Sequence, residues 1–462
     1  MYFWEKHREY QDRPMLITEQ GETFRYGEVW DWQERFLSGL PARSLIFFTG
    51  GRRAADLAIY LGLLRMGHVP LMLPETLGQE QKRQLVKRYQ PNGLIDGRQK
   101  NIRMLHSEKV RMHPDLALLL LTSGSTGSPK AVRLSCRNLQ SNAESIAEYL
   151  EITAADRAVT MLPLSYTYGL SVIHSHVYRG ACLLVTERSI LEQQFWEFLQ
   201  TAGATALSGV PYTYELFHRF HLEDIPVPSL RTVTQAGGHL PEELQRYMAE
   251  WTRKRGIRFY VMYGQTEATA RMAYLPWEKC LEKPGSIGRA IPGGTMELAD
   301  ETGAPVTGAD QEGELVYHGP NVSMGYAENR EDLQLGDCRH QTLHTGDLAR
   351  RDRDGYYYIT GRRARFVKLF GKRISLDQVE QLVTGRWPEV SCACVGDDTG
   401  ILLCMEQKAG NPAPEAVRNF LEKEGGIPGK AVILRTLEEI PRRENGKTDY
   451  PQLKALQAEA GM

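Results

Sequence analysis

Four short apolar runs before residue 240 each give way to a stretch with helical spacing, and this alternation constrains the fold more than any other feature. SLIFFTG ends in a Gly-Gly turn and precedes DLAIYLGLLRMG; ALLLLTSG precedes LQSNAESIAEYLEI; GACLLVTE precedes QQFWEFLQTAG; SLRTVTQAGG precedes PEELQRYMAEWTRKRG. A continuously apolar strand needs cover on both faces, and a following amphipathic helix supplies it. The expected class is therefore α/β, with a large N-terminal region of layered, mainly parallel sheet. From about Tyr317 the texture turns to Gly, Asp and Tyr, with LARRD and YYYITG flanking the turn at 352–355, which reads as a hairpin-rich β subdomain. Past Gly361 come a basic stretch, the helical SLDQVEQLVTG, short strands around CACVG and ILLCMEQ, and the helical PEAVRNFLEKE. These read as a separate small α+β domain, so the expected division is 1–361 and 362–462.

Size and charge narrow the function classes. At 462 residues the chain is about three times the usual ~150 residues of a domain, which excludes a single small binding module. Fifty-six basic residues against 57 acidic give a net charge of −1, so nothing in the overall balance draws the chain to nucleic acid or anionic lipid. Seven cysteines, an odd number and widely spread, make neither a disulfide framework nor a paired zinc motif; a reducing, cytoplasmic setting is expected. MYFWEKHREYQDRP lacks the apolar core of a signal peptide, and Leu116–Leu121 is far short of the ~18 residues that span a bilayer.

The strongest local signal follows the run LALLLL: Thr122, Ser123, Gly124, Ser125, Thr126, Gly127, Ser128, Pro129, Lys130. Hydroxyls, two glycines and a lysine offer N–H donors, O–H donors and a cation at close approach, which is what a phosphate chain requires. The Walker A loop needs Gly directly before the Lys and a hydroxyl after it, whereas here Pro129 precedes Lys130 and Ala131 follows.

This loop resembles the signature of the adenylate-forming superfamily, which includes acyl- and aryl-CoA synthetases, adenylation domains of nonribosomal peptide synthetases, and luciferases. Further matches follow in the family's order: Leu162-Pro163-Leu164 with Tyr168-Gly169, Val210-Pro211, Gln235-Ala236-Gly237-Gly238, Tyr263-Gly264-Gln265-Thr266-Glu267 and Gly285-Ser286-Ile287-Gly288. Then come Gly313-Glu314-Leu315, Thr345-Gly346-Asp347, Gly361-Arg362, Gly371-Lys372-Arg373 and Asn445-Gly446-Lys447.

The resemblance implies an ATP- and Mg²⁺-dependent acid–thiol ligase that forms an acyl-AMP, releases pyrophosphate and passes the acyl group to a thiol. Lys130, Ser123, Ser125 and Thr126 are then expected at the β and γ phosphates, with Thr266 at the α-phosphate and Glu267 on Mg²⁺. Thr122, Gly124 and Gly127 belong to the same nucleotide loop. Tyr263 and Gly264 would border the adenine, and Gly237 and Gly238 would let the backbone approach the base and acyl group. Asp347 would accept both ribose hydroxyls, Arg362 would reach ribose or phosphate, and Lys447 would be the catalytic lysine of a mobile C-terminal domain. The family hinge falls on Ala364 and is followed by Arg365, where Asp or Lys and then an acid are usual.

Amino-acid-activating members carry an Asp where this chain has Gly169, which argues against an ordinary α-amino acid. The expected acid pocket is Tyr166, Tyr168, Gly169, Ser171, Val210, Tyr212, Gln235, Ala236 and Gln265, sized for a small aryl or short acyl acid. Arg271 either contacts a polar substituent or makes a helix-borne ion pair. His174 and His176, two residues apart, are set on a strand, and neither is read as a ligand or base. The acceptor is either free CoA or a carrier protein's phosphopantetheine in trans. Basic residues at 362, 363, 365, 368, 372 and 373 favour the acidic carrier. A non-catalytic adenylate-binding relative is opposed by Lys130, Glu267, Asp347 and Lys447 occurring together, and oxidation of the adenylate, as in luciferases, stays open.

Overall fold

The computed structural model describes the chain except residues 1, 6, 123–129, 364, 370, 371, 398, 409, 426, 444, 445 and 460–462, and except the side chains of 7, 368, 372, 373, 458 and 459. The chain divides into two compact units, Met1–Met296 with Tyr317–Leu343, and Glu297–Val316 with His344–Met462.

The first unit holds two large sheets. One has nine strands, in the order 289–290, 273–275, 258–263, 232–235, 206–209, 157–160, 182–185, 14–18, 23–25; the central ones pair in parallel. The other has seven, in the order 326–327, 130–135, 116–122, 69–73, 45–49, 93–96, 101–104. Leu116, Leu118, Leu119 and Leu120 are essentially inaccessible, as a central strand covered on both faces requires. Helices Ala54–Arg65, Cys136–Tyr149 and Thr167–Tyr178 contribute to one continuous apolar core with both sheets.

Three of the four strand–helix alternations form as expected, at 45–65, 182–202 and 232–254. The fourth differs. Leu116–Thr122 does not run into a helix; it pairs antiparallel with Lys130–Ser135, Thr122 opposite Lys130, and only then does helix Cys136–Tyr149 begin. KAVRLS is too short to show a period of its own, and the pairing across the intervening loop makes it a strand. Ser135 caps the helix: its Oγ accepts from Asn138 N at 3.1 Å, while Asn138 Oδ1 accepts from Ser135 N at 2.8 Å. His174 and His176 lie on helix Thr167–Tyr178, not on a strand, and both are buried.

The second unit contains most of a four-stranded sheet (295–299, 312–318, 342–351, 357–362), a hairpin of 366–369 with 372–375, and a three-stranded sheet of 392–397, 400–406 and 432–437. Helices Leu376–Arg386 and Pro414–Gly425 pack on an apolar core that includes Val379, Val383, Leu403, Val417 and Leu421. Among the described residues, no helix is long and apolar enough to cross a membrane.

Candidate active site

Residues Ser123–Gly127 of the expected phosphate loop lie outside the described residues, but both ends are placed. Thr122 and Lys130 face each other across the strand pair, so the register fixes where the loop leaves and re-enters the sheet. Lys130 Nζ lies 2.6 Å from Glu328 Oε1 and 5.9 Å from the centre of the Tyr326 ring. The Tyr326 hydroxyl donates to Glu267 Oε1 at 2.7 Å. Burial, and then the Glu267 carboxylate, hold the Tyr326 phenol well above its usual pKa, so it remains a donor. Lys130 and Glu267, 137 residues apart, are thus joined through one aromatic side chain.

Buried Arg133 keeps Tyr326 in place. Its guanidinium donates to the carbonyls of Met324 (2.7 Å), Tyr326 (3.1 Å), Gly336 (3.2 Å) and Leu335, and Tyr326–Ala327 pairs with Val132 and Ala131 as an edge strand. Sequence reasoning missed Arg133, Tyr326 and Glu328. Their one local signal is the Gly325-Tyr326 pair, whose glycine has φ +108° and lets the chain turn into the edge strand.

Glu267 sits in the excursion between strands Arg258–Tyr263 and Ala273–Leu275. A Cβ on Gly264 would lie 1.7 Å from the carbonyl oxygen of Ala270, so only glycine closes the base of this loop. Thr269, β-branched, has φ +68°. It is held there by Thr167, whose hydroxyl donates to its carbonyl, and by its own hydroxyl donating to Asn321 O at 2.6 Å. Strain of this kind persists only where the surroundings over-determine the backbone, and here it fixes Thr266 and Glu267 on one side and Arg271 on the other.

The expected acid-pocket residues surround the C-terminal ends of the parallel strands. Gln235 ends its strand and donates through Nε2 to Gly238 O at 3.0 Å. Gly237 has φ +91°, and a Cβ there would lie 2.2 Å from the Tyr166 hydroxyl, so the bare backbone meets the phenol directly. Ala236 is buried beside it, Val210 precedes the helix Pro211–Arg219 that carries half-buried Tyr212, and Gln265 Nε2 donates to the Tyr263 hydroxyl at 3.3 Å. Tyr166 meets Tyr168 edge to face at 6.2 Å. Tyr168 is built into the core, donating to Thr234 O at 3.0 Å. Ser171 donates to Tyr168 O at 2.7 Å, a bond internal to the helix.

A Cβ at Gly169 would lie 2.6 Å from Pro163 O and 3.0 Å from Leu162 O, so an acid at this position has no room. One expectation needs correction. Arg271 is neither on a helix nor in an ion pair among the described residues; its guanidinium lies 5.0 Å over the Tyr168 ring.

In the second unit Asp347 is 2% exposed and pairs in register with Arg362, whose Nε donates to Asp347 Oδ1 at 2.9 Å. Gly346 (φ +71°) donates its N–H to Glu314 Oε1 at 3.1 Å, and Arg363 donates to Glu314 Oε2 at 2.7 Å. Arg365 is 2.5 Å from Asp377 and 2.7 Å from Glu380. Three of the six basic residues expected to meet an acidic carrier are therefore paired with the chain's own carboxylates, and the side chains at 368, 372 and 373 lie outside the described set, as does Ala364. Lys447 follows Gly446 (φ +76°) in a turn closed by Arg443 N donating to Lys447 O at 2.8 Å, just before helix Tyr450–Glu459.

Residues 97–327 match the family described as AMP-binding enzyme. The 2-succinylbenzoate–CoA ligase of Bacillus cereus (strain Q1) is 31% identical over 347 residues, 73% of this chain and 69% of the relative; that of Bacillus mycoides is 30% identical over the same shares. Among solved structures, the O-succinylbenzoate coenzyme A synthetase of Bacillus subtilis in complex with AMP superposes with a TM-score of 0.81 over 98% of both chains at 22% identity. ATP-bound MatB from Rhodopseudomonas palustris gives 0.81 over 99% of both chains, also at 22%. These structures share the α/β fold of the large sheets and smaller C-terminal sheets described above.

Proposed function

The chain belongs to the AMP-binding enzyme family, and from that premise we propose that it joins a small aryl or short acyl carboxylic acid to the thiol of coenzyme A, cleaving ATP to AMP and pyrophosphate. The observation that carries this reading is the convergence on Tyr326: its hydroxyl holds Glu267 and its ring faces the Lys130 ammonium, beside a loop suited to phosphate.

In the first half reaction a carboxylate oxygen attacks the α-phosphorus, the bond from that phosphorus to the bridging oxygen breaks, and pyrophosphate leaves with the electron pair. In the second, the thiol sulfur attacks the acyl carbon, the bond to the AMP oxygen breaks, AMP leaves, and the thiol proton passes to solvent. Charge builds on phosphoryl oxygens, so catalysis is chiefly electrostatic clamping and in-line positioning. Lys130, Ser123, Ser125 and Thr126 hold the β and γ phosphates, and Thr266 holds the α-phosphate. Glu267 fits Mg²⁺, because Tyr326 fixes one carboxylate oxygen and so orients the other, and this ion binds through one or two carboxylates plus phosphate oxygens and water. When bound, that ion neutralises phosphate charge. Asp347, fixed by Arg362, accepts the ribose hydroxyls, and Lys447 contacts the attacking carboxylate and the ribose. Residues 362–462 act as a mobile domain that withdraws Lys447 before thiol capture.

Free coenzyme A is the favoured acceptor: the relatives are named as CoA ligases, and three of the six basic residues that would attract an acidic carrier pair with the chain's own carboxylates. The test is acid-dependent pyrophosphate exchange over a panel of carboxylic acids, with mass spectrometry of the products formed with CoA and with a phosphopantetheinylated carrier. No exchange by well-folded protein overturns the reading. Lys447→Ala should suppress adenylation far more than capture of a supplied acyl-adenylate; equal loss of both removes its assigned role.

A further inference from the structure

Three charged groups gather at Tyr326: the Lys130 ammonium, the Glu267 carboxylate and the Arg339 guanidinium, whose carbon lies 5.1 Å from the ring centre. The phenol responds to the third. Burial and Glu267 raise its pKa, and Arg339 opposes them by charge and by hydrogen bonding. The two cations are satisfied differently. Lys130 pairs with Glu328 at 2.6 Å. Half-buried Arg339 has no carboxylate partner among the described residues, and its Nε is buried with no hydrogen-bond partner. A purely structural arginine is satisfied as Arg133 is, by a set of backbone carbonyls, and Arg339 has no such set among the described residues.

The backbone that presents Arg339 is strained. Residues 339–342 form a tight turn closed by Thr342 N donating to Arg339 O at 3.0 Å, with His340 at φ +50° and Gln341 at φ +60°. Two successive left-handed residues are the pattern of a type I′ turn, for which Asn-Gly is the usual pair; here both positions carry full side chains. The surroundings over-determine this backbone. Asp337 Oδ1 accepts from Arg339 N at 2.9 Å and from His340 N at 3.0 Å, and Gly319 N donates to Gln341 O at 3.0 Å. Cys338 N donates to Met324 O at 3.0 Å, which ties the turn to the segment that carries Tyr326. Strain held in this way is a mark of a functional position.

A triphosphate with one Mg²⁺ remains anionic, and Glu267 and Glu328 add negative charge beside it. One lysine does not offset that charge. As the bond from the α-phosphorus to the bridging oxygen breaks, the electron pair stays on the oxygen of the departing pyrophosphate, where negative charge grows in the transition state. A guanidinium with unused N–H donors matches phosphoryl oxygens in a bidentate fork.

Resting on the ligase reading above, we propose that Arg339 is a catalytic residue of the first half reaction, its N–H groups binding the pyrophosphoryl oxygens beside Lys130 and stabilising the leaving group. It moves no proton, because a guanidinium keeps its own.

Titration calorimetry with magnesium pyrophosphate reads this site without turnover. Wild type should bind about 10- to 100-fold more tightly than Arg339→Met, the scale of a hydrogen-bonded charge, with Arg339→Lys between them. Arg339→Gln keeps a polar stem and loses the charge, so it should show the same weakening as Arg339→Met. In acid-dependent pyrophosphate exchange both uncharged variants should raise KM for pyrophosphate by a similar factor and move KM for the acid by no more than about twofold. Capture of a supplied acyl-adenylate by coenzyme A involves no pyrophosphate, and its rate should also stay within about twofold. Pyrophosphate binding that is absent in wild type, or unweakened in Arg339→Met or Arg339→Gln, overturns the proposal, as does equal loss of exchange and capture. Arg339-dependent pyrophosphate binding without exchange for any acid keeps the site and removes the ligase reading; exchange indifferent to Arg339 does the reverse.

Discussion

The phenol of Tyr326 donates to Oε1 of Glu267 at 2.7 Å, across 59 residues of sequence. A hydrogen bond to a carboxylate contributes about 1.5–3 kcal/mol, and on the proposed reading it holds Glu267 with its second oxygen available to a metal ion. Tyr326→Phe should lower kcat/KM for MgATP about tenfold and raise the Mg²⁺ concentration needed for half-maximal pyrophosphate exchange. The melting temperature should change little, because Tyr326 is 38% exposed. An unchanged Mg²⁺ dependence would show that Glu267 needs no support from the phenol.

Glu328 holds Lys130 at 2.6 Å, with side-chain exposures of 58% and 32%. On the proposed reading, Glu328 competes with the triphosphate for this ammonium. Exposed pairs contribute about 0.2–1 kcal/mol, so Glu328→Gln should lower KM for ATP about two- to fivefold with kcat unchanged. Steady-state kinetics decide this, and a rise in KM would mean that Glu328 assists the nucleotide instead of competing with it.

Arg365 is the hub of the second unit. Besides Asp377 and Glu380 it donates to the Tyr450 hydroxyl at 2.7 Å, lies 4.0 Å from the centre of the Tyr450 ring, and donates to Cys394 O at 2.8 Å. Burial raises the pKa of Glu380, and Arg365 is the main opposing influence. Removing the arginine leaves two carboxylates facing each other out of water. Arg365→Met should therefore destabilise this unit by about 3–5 kcal/mol in urea unfolding, and adding Glu380→Met should recover much of the loss. Additive losses would show that the two groups act independently.

Burial lowers the pKa of His174 to about 3 and that of His176 to about 4. His174 Nε2 lies 2.7 Å from the Tyr60 hydroxyl, and His176 Nδ1 donates to Val172 O at 2.7 Å. Unfolded histidine takes up its proton near 6.5, while these folded rings stay neutral until far lower pH. Their contribution is complete above about pH 6.5 and is lost as pH falls from there toward 4 and then 3, at about 1.4 kcal/mol per unit for each ring. His174→Gln should flatten the acid limb of stability against pH; an unaltered slope would mean that the ring is protonated in the folded state.

What was legible in the sequence was what is local. Helix Glu242–Lys254 follows from its apolar spacing, and strand Leu116–Thr122 from its unbroken apolar run. The collinear motifs from Thr122 to Lys447 point to a family because each is a contiguous pattern whose residues act within one loop. Strand Lys130–Ser135 was missed because a six-residue strand takes its identity from its partner. His174 and His176 were set on a strand because a spacing of two residues does not itself separate strand from helix.

The sequence by itself therefore determined the class of fold, the order of the elements and the residue types offered to a nucleotide. Only the tertiary structure decided which charges meet. Sheet register places Thr122 against Lys130 and Asp347 against Arg362. Long-range closure brings Tyr326 to Glu267, gives Arg365 two carboxylates, and leaves Arg271 with none among the described residues. A side chain's partners lie tens to hundreds of residues away in sequence, and burial multiplies the energetic consequence of each pairing, so neither is written in any local pattern.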